Sequence, residues 1–271
     1  MIASVITASL LTLAVLVPAS PAEPPHALPQ NATGADLKWQ PALDHNYTGP
    51  SEDCRDKSDL DSTNAYSRQR CNSGWCVHLY DYYFEKDVAV PQVADAGGHR
   101  HDWEHIAVWV QDGQAKYVAA SAHGAYQIEK AEDVRWEGTH PNIVYHKDGG
   151  LTHAFRFATE GDEPPENHYD TWRRSPLVSY LGFPSGLRDT PFTHDFGSAS
   201  IGIKDSSFAG NLERAVPAEW TQQCSTNGTN APICTDIKKV LIEFDYGLDE
   251  GSPGDPNPAP GGPLGNVMIV G

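Results

Sequence analysis

A chain of 271 residues, 39% of them hydrophobic, is long enough for one well-buried domain of about 200 residues plus tails. Its formal charge of −17 excludes nucleic acid as a partner, because nucleic-acid binders neutralise phosphates with Lys and Arg. The same charge excludes simple adsorption to anionic lipid, so an acidic headgroup would have to be met through a bridging cation.

Residues 1–22 read as a secretory signal peptide. An apolar run over 2–19 ends in small residues, with cleavage expected after Ala19 or Ala22. A membrane anchor is the alternative, but the run is short and ends in prolines. No second long apolar run follows, so a soluble, extracellular product is expected. Sequons at Asn31, Asn46 and Asn227 suit that location. The Pro-rich residues 23–35 are expected to form an unstructured leader, and the domain proper to span 36–247. Secretion permits disulfides. Cys71 and Cys76 bracket one short turn, and Cys224 and Cys234 bracket a Ser/Asn/Gly-rich loop. Pairing within each bracket is the preferred connectivity, which spacing alone does not fix, and it leaves Cys54 over.

From Thr63 onward short strand candidates alternate with turns. Val77–Phe84 is aromatic and apolar; Ile106–Val110 and Ala115–Ser121 flank Asp112-Gly113, a hairpin cue. Asn142–His146 and Leu151–Phe157 flank Asp148-Gly149-Gly150 in the same way. Asp162–Arg174 is irregular, Ser206–Val216 could be a short helix, and Lys239–Asp245 alternates as a strand. The Pro/Gly-rich tail, 248–271, should not fold. The sum predicts a mainly β protein, an antiparallel β-sandwich with a few short helices.

Ligand-type side chains concentrate in residues 97–110, Gly-Gly-His-Arg-His-Asp-Trp-Glu-His-Ile-Ala-Val-Trp-Val. As a strand, this stretch puts Asp102 and Glu104 on the face of Ile106, Val108 and Val110, because strand side chains alternate. Two carboxylates at the end of a core-facing row cannot stay unpaired without a large desolvation cost. A bound cation is the simplest compensation; a buried salt bridge with Arg100 or Lys86 is the other. His99 has the opposite parity and joins them only if the Gly97-Gly98 turn or a bulge re-aims it. One imidazole among carboxylates suits Mg²⁺ or Ca²⁺ rather than zinc. Asp87, 12 residues before His99, can return to the same mouth. The string His101-Asp-Trp-Glu104-His105 also matches the inverted zinc-peptidase motif, which requires a helix where the pattern here predicts a strand.

Asp81-Tyr82-Tyr83-Phe84-Glu85-Lys86-Asp87 followed by Gly98-His99-Arg100-His101-Asp102-Trp103-Glu104 resembles the two hallmark blocks of the necrosis- and ethylene-inducing-peptide-like proteins. Val144-Tyr145-His146-Lys147-Asp148-Gly149, Thr152-His153-Ala154-Phe155-Arg156 and Asp195-Phe196-Gly197-Ser198-Ala199 resemble further segments of that family. The cysteine-rich form is similar to its second, multi-cysteine type. The resemblance implies a β-sandwich related to actinoporin-like cytolysins and fungal lectins, with one divalent cation, Mg or Ca, in an acidic cavity. It places the metal set on Asp87, His99, Asp102 and Glu104, partly through water. It further implies a non-enzymatic, secreted virulence factor, a monomer, that binds glycosylinositol phosphoceramide headgroups of plant plasma membranes and damages them. A non-lytic sugar-binding or immune-eliciting member is the alternative. His123 and His153 are expected to line the cavity or pack as core histidines. His101 is expected to pack or to support a ligand, with headgroup contact as its other role, while Trp136, in a loop, could touch lipid. The family usually has a longer stretch, with a cysteine, where only Asn46-Tyr47-Thr48 stands here, which orphans Cys54.

Overall fold

One of the two longest strands, His99–Gln111, is buried at nine consecutive positions, as a strand covered on both faces must be. In the computed structural model, which describes residues 26–45, 61–72, 74–87, 99–149, 152–217, 224–225 and 233–234, helix α1 (Gly34–Trp39) leads into strand β1 (Ala42–His45). A meander follows: β2 (Ala65–Asn72), β3 (Trp75–Asp87), β4 (His99–Gln111), β5 (Gln114–Ala122) and β6 (Ala125–Lys130). Next come β7 (Trp136–Glu137), β8 (His140–Lys147), β9 (His153–Phe157) and β10 (Leu177–Ser179). Helices α2 (Asp189–Thr193) and α3 (Asp205–Arg214) precede a two-residue pair, β11 (Cys224–Ser225) and β12 (Ile233–Cys234).

Six strands form one sheet in the order β10-β2-β3-β4-β5-β6, and β1-β8-β7 form the second, with β9 also on β8. The expected sandwich is present, but not wholly antiparallel: β1 runs parallel to β8, and β10 parallel to β2. Both exceptions join segments distant in sequence, where no hairpin forces an antiparallel return. The β4–β5 turn is the predicted one, with Asp112 and Gly113 at φ 51° and 72°, the left-handed pair that a two-residue hairpin requires.

Alternation along β4 feeds two cores. Ile106, Val108 and Val110 pack between the sheets with Ile143, Tyr145 and Phe155. Ala107 and Trp109 face outward from the large sheet, where Phe208 and Leu212 of α3, with Ile201 and Ile203, cover them. Trp109 Nε1 donates to Ala215 O at 2.9 Å, tying the end of α3 to the sheet.

The leader is ordered earlier than its composition predicts. Asn31 bridges to Val178, and its side-chain amide donates to Gly182 O at 2.7 Å, so this exposed sequon is hydrogen-bonded to the fold. Thr33 Oγ1 accepts from Asp36 N at 3.0 Å and caps α1. Cys71 and Cys76 form a disulfide across the β2–β3 turn. The register sets Cys224 opposite Cys234. The signal-peptide, Cys54, Lys239–Asp245 and tail expectations, and the sequons at Asn46 and Asn227, lie outside the described residues.

Candidate metal centre

The antiparallel register of β3 and β4 sets Asp87 opposite His99 and Phe84 opposite Asp102 at one end of the sandwich. Asp102 and Glu104 face between the sheets as alternation predicts, and Tyr145 of β8 donates its hydroxyl to Asp102 Oδ2 at 3.0 Å. His99 reaches the same place without the expected bulge, while the Gly97-Gly98 turn lies outside the described residues. The β3–β4 register does not shift there, but His101 sits at φ 68°, a left-handed residue within the strand, and this re-aims the chain on its N-terminal side.

Asp87, His99 and Asp102 each offer a ligand atom, all within 4.8 Å of one another. His99 Nδ1 donates to His101 O at 2.9 Å, which leaves Nε2 with a lone pair, 3.7 Å from Asp87 Oδ2. Asp87 is 1% exposed. Its Oδ1 accepts the backbone N–H of His153 at 2.9 Å and the ring Nδ1–H at 2.7 Å, while its buried Oδ2 accepts no hydrogen bond. Glu104 stands outside this threesome and accepts a short hydrogen bond from Ser121 Oγ. That hydroxyl also accepts the backbone N–H of His105 at 2.7 Å, where the β4–β5 ladder has ended at Ile106 and Ala120.

Burial, and then the charge of Asp87, pushes the Asp102 carboxyl up from its ordinary range. Burial, and then Asp102, pushes Glu104 up to about 9. For Asp87 burial is outweighed by the hydrogen bonds from His153, and its pKa falls. Among the described side chains, which do not include that of Lys86, no Lys or Arg pairs with Asp102 or Glu104, and Arg100 lies by Glu85 on the surface at 3.5 Å. A buried carboxylate oxygen without a hydrogen bond, facing an imidazole nitrogen, fits a bound cation. Two carboxylates with one imidazole nitrogen, and a third carboxylate behind them, suit a hard ion such as Mg²⁺ or Ca²⁺.

The other sequence candidates fall in different places. His99, Asp102, Glu104, His123 and His153 line one cavity of about 290 Å³. His153 holds Asp87; His123, in the β5–β6 turn, donates from Nε2 to Asp148 Oδ2 at 3.0 Å and links two hairpins. His101 is on the opposite face of the sheet, bonded through Nδ1 to the Tyr83 hydroxyl at 2.6 Å and packed on His194 and Phe196. It does not line the cavity. Trp136 folds back, edge-on to Trp39 at 6.4 Å, with Nε1 on Ala131 O at 2.8 Å. Beside Trp39, Lys38 reaches Gly113 O, so Trp136 lies at the far end of β4 from the carboxylates. The peptidase reading fails because 99–111 is a strand: Glu104 faces between the sheets, whereas His105 bonds Asp81 at 2.8 Å and His101 bonds Tyr83 on the other side. Ser121 and Tyr145, which hold two of the carboxylates, were not singled out by sequence. Tyr145 shares the inward parity of Ile143, the one cue that places it between the sheets.

The model of the family described as necrosis inducing protein (NPP1) matches residues 29–215. The chain belongs to this family of necrosis-inducing proteins. NLP effector protein 14 of Phytophthora capsici is 30% identical over 145 residues, 51% of this chain and 98% of that protein. Necrosis-inducing protein NPP1 of Phytophthora nicotianae is 28% identical over 160 residues, 56% of this chain but 62% of that protein. Against that relative, and against NLP effector protein 10 of Phytophthora capsici at 61%, the chain spans less than two thirds of the length. The solved structure of NLPPya in complex with glucosamine superposes with a TM-score of 0.58 at 25% identity, covering 70% of this chain and 95% of that one. Necrosis and Ethylene inducing Protein 2, from the causal agent of witches' broom disease of cocoa, shares the fold at TM-score 0.58 and 23% identity, covering 70% and 94%. The family is described as one of necrosis-inducing proteins, and several of its curated members are named as effectors.

Proposed function

We propose that this protein is a secreted cytolysin that binds the glycosylinositol phosphoceramide headgroup of plant plasma membranes through a divalent cation and then damages the membrane. The observation that carries the reading is Asp87 Oδ2, buried without a hydrogen bond and facing the free nitrogen of His99 beside Asp102. Asp87, His99 and Asp102 would hold the ion, with Glu104 behind them. Such an ion supplies charge neutralisation and a Lewis-acidic partner for sugar hydroxyls. The rest of the site positions these groups: His153 fixes Asp87, Tyr145 fixes Asp102, Ser121 fixes Glu104, and the His101 carbonyl fixes the His99 ring. The relative solved with glucosamine supports a sugar as ligand, and the Cys71–Cys76 bridge supports an oxidising, extracellular setting. One chain carries the whole cluster, which suits a monomer.

Calcein-loaded vesicles containing the plant sphingolipid test the proposal. Release is expected with Ca²⁺ or Mg²⁺ and none with chelator. Release that survives both chelator and Asp102→Ala would sink it. A non-lytic role also has support, since the non-toxic HaNLP3 protein shares the fold at TM-score 0.55 and 22% identity, covering 72% of this chain and 98% of its own. Cation-dependent binding to the vesicles without release would select that role.

A further inference from the structure

The cavity that holds the carboxylates does not end at the large sheet. Because β4 and β5 separate beyond Ile106 and Ala120, it continues to the sheet's other face and is lined there by Tyr126, Ser200, Asn211 and Arg214. These come from β6, the 198–200 segment and the last turns of α3. Arg214 Nη2 donates to Asn211 Oδ1 at 2.6 Å, and the same oxygen accepts from the Tyr126 hydroxyl at 3.0 Å. Asn211 is 2% exposed, so this acceptor is a fixed anchor that holds the guanidinium at the cavity wall. Among the described residues no carboxylate pairs with Arg214, in a chain with 36 acidic residues against 19 Lys and Arg. Glu104 lines the same cavity as Arg214, so a carboxylate and a guanidinium share it.

We propose that Arg214 is an anion subsite, and that the cavity takes a sugar bearing a negatively charged substituent: hydroxyls toward the Asp87–His99–Asp102 end, the phosphate or carboxylate on Arg214. The inference rests on the cation-held sugar reading above and names the residue that would meet the ligand's charged group. A guanidinium offers a planar fork of donors that matches phosphate or carboxylate oxygens, and the Ser200 hydroxyl stands on the same wall. About 290 Å³ is at the small end of ligand pockets and suits one substituted monosaccharide rather than an oligosaccharide.

Calorimetric titration with myo-inositol, myo-inositol 1-phosphate and glucuronic acid, each with Ca²⁺ and with chelator, tests this on the native protein, Arg214→Gln and Arg214→Lys. In Ca²⁺ the native protein should prefer inositol phosphate to inositol by about tenfold or more, the worth of one charge-assisted contact. Arg214→Gln should erase the preference and Arg214→Lys should restore part of it. A rise in melting temperature with Ca²⁺ alone shows that each variant is folded with its carboxylate cluster intact. Preference for glucuronic acid over inositol phosphate assigns the subsite to carboxylates. An unchanged preference in Arg214→Gln overturns the proposal. Phosphate preference that depends on Arg214 but persists in chelator upholds the subsite and overturns the cation-held sugar instead.

Discussion

Asp102 and His101 are neighbours with opposite jobs, one supplying charge and the other a bend. Replacing Asp102 with Asn removes a carboxylate that burial and Asp87 already disfavour, so in chelator the variant should melt no lower than the native protein. It should lose the rise that a saturating cation gives, which for an ion at 100 times its Kd is about 2.7 kcal/mol. Calorimetry with and without Ca²⁺ checks both halves. A Ca²⁺-dependent rise that persists in Asp102→Asn would remove Asp102 from the ligand set. His101 acts through its backbone. At φ 68° a β-branched residue is strongly disfavoured and glycine is not. His101→Val should therefore lose cation binding, because the strand would straighten and return His99 to the opposite face. His101→Gly should keep cation binding while losing the stability of the Tyr83 hydrogen bond and the packing on Phe196. Asp102 and Glu104 were readable from parity, whereas His99 joined them only through the family resemblance, because this bend was not readable. A left-handed histidine leaves no mark in sequence comparable to a glycine.

At the scale of elements, the least self-sufficient piece is α1, six residues that would not stay helical alone. Thr33-Gly34-Ala35-Asp36 carries a capping pattern that could have announced it, in a stretch whose prolines argued for disorder. Asp36 makes it part of the sandwich. It is 1% exposed, its Oδ1 pairs with His78 Nδ1 at 2.7 Å, and its Oδ2 accepts from Ser67 at 3.0 Å and Ser179 at 2.7 Å. Tyr80 adds a hydrogen bond to the Asp36 carbonyl at 2.7 Å. One carboxylate thus fastens α1 to β2, β3 and β10. Asp36→Ala should cost about 3–5 kcal/mol in urea unfolding, since it strands buried donors and an imidazole. Burial alone would raise the Asp36 pKa, but the bonds from His78, Ser179 and Ser67 outweigh it and the net shift is downward. A carboxylate whose folded pKa lies below its unfolded value stabilises the fold above about 3.8, and that contribution fades as pH falls below it. The native protein should lose stability steeply below pH 3.8, and Asp36→Asn should show a shallower acid limb. Equal slopes would place the acid sensitivity elsewhere. Hairpin strands were legible because each needs only its own alternation and turn. The parallel partners β1 and β10 were not, since their pairing depends on residues about a hundred positions away.

At the scale of the whole molecule, a formal charge of −17 sets the sign of every long-range encounter with an anionic membrane. One guanidinium inside a cavity does not reverse it. Repulsion between exposed charges reaches about 30 Å at 0.01 M salt and about 10 Å at 0.1 M, whereas a short-range ion bridge is screened far less. Binding to vesicles of the plant sphingolipid at fixed free Ca²⁺ should therefore strengthen as NaCl rises from 10 to about 150 mM. Proteins that adsorb through basic patches show the reverse trend. Chelator should abolish binding at both salt concentrations. Co-sedimentation measures each combination directly. Binding that weakens with salt and ignores chelator would mean that a local basic surface, not the Asp87–His99–Asp102 cluster, brings this acidic protein to the membrane. The opposite pattern ties approach and grip to the same few residues at one end of the sandwich.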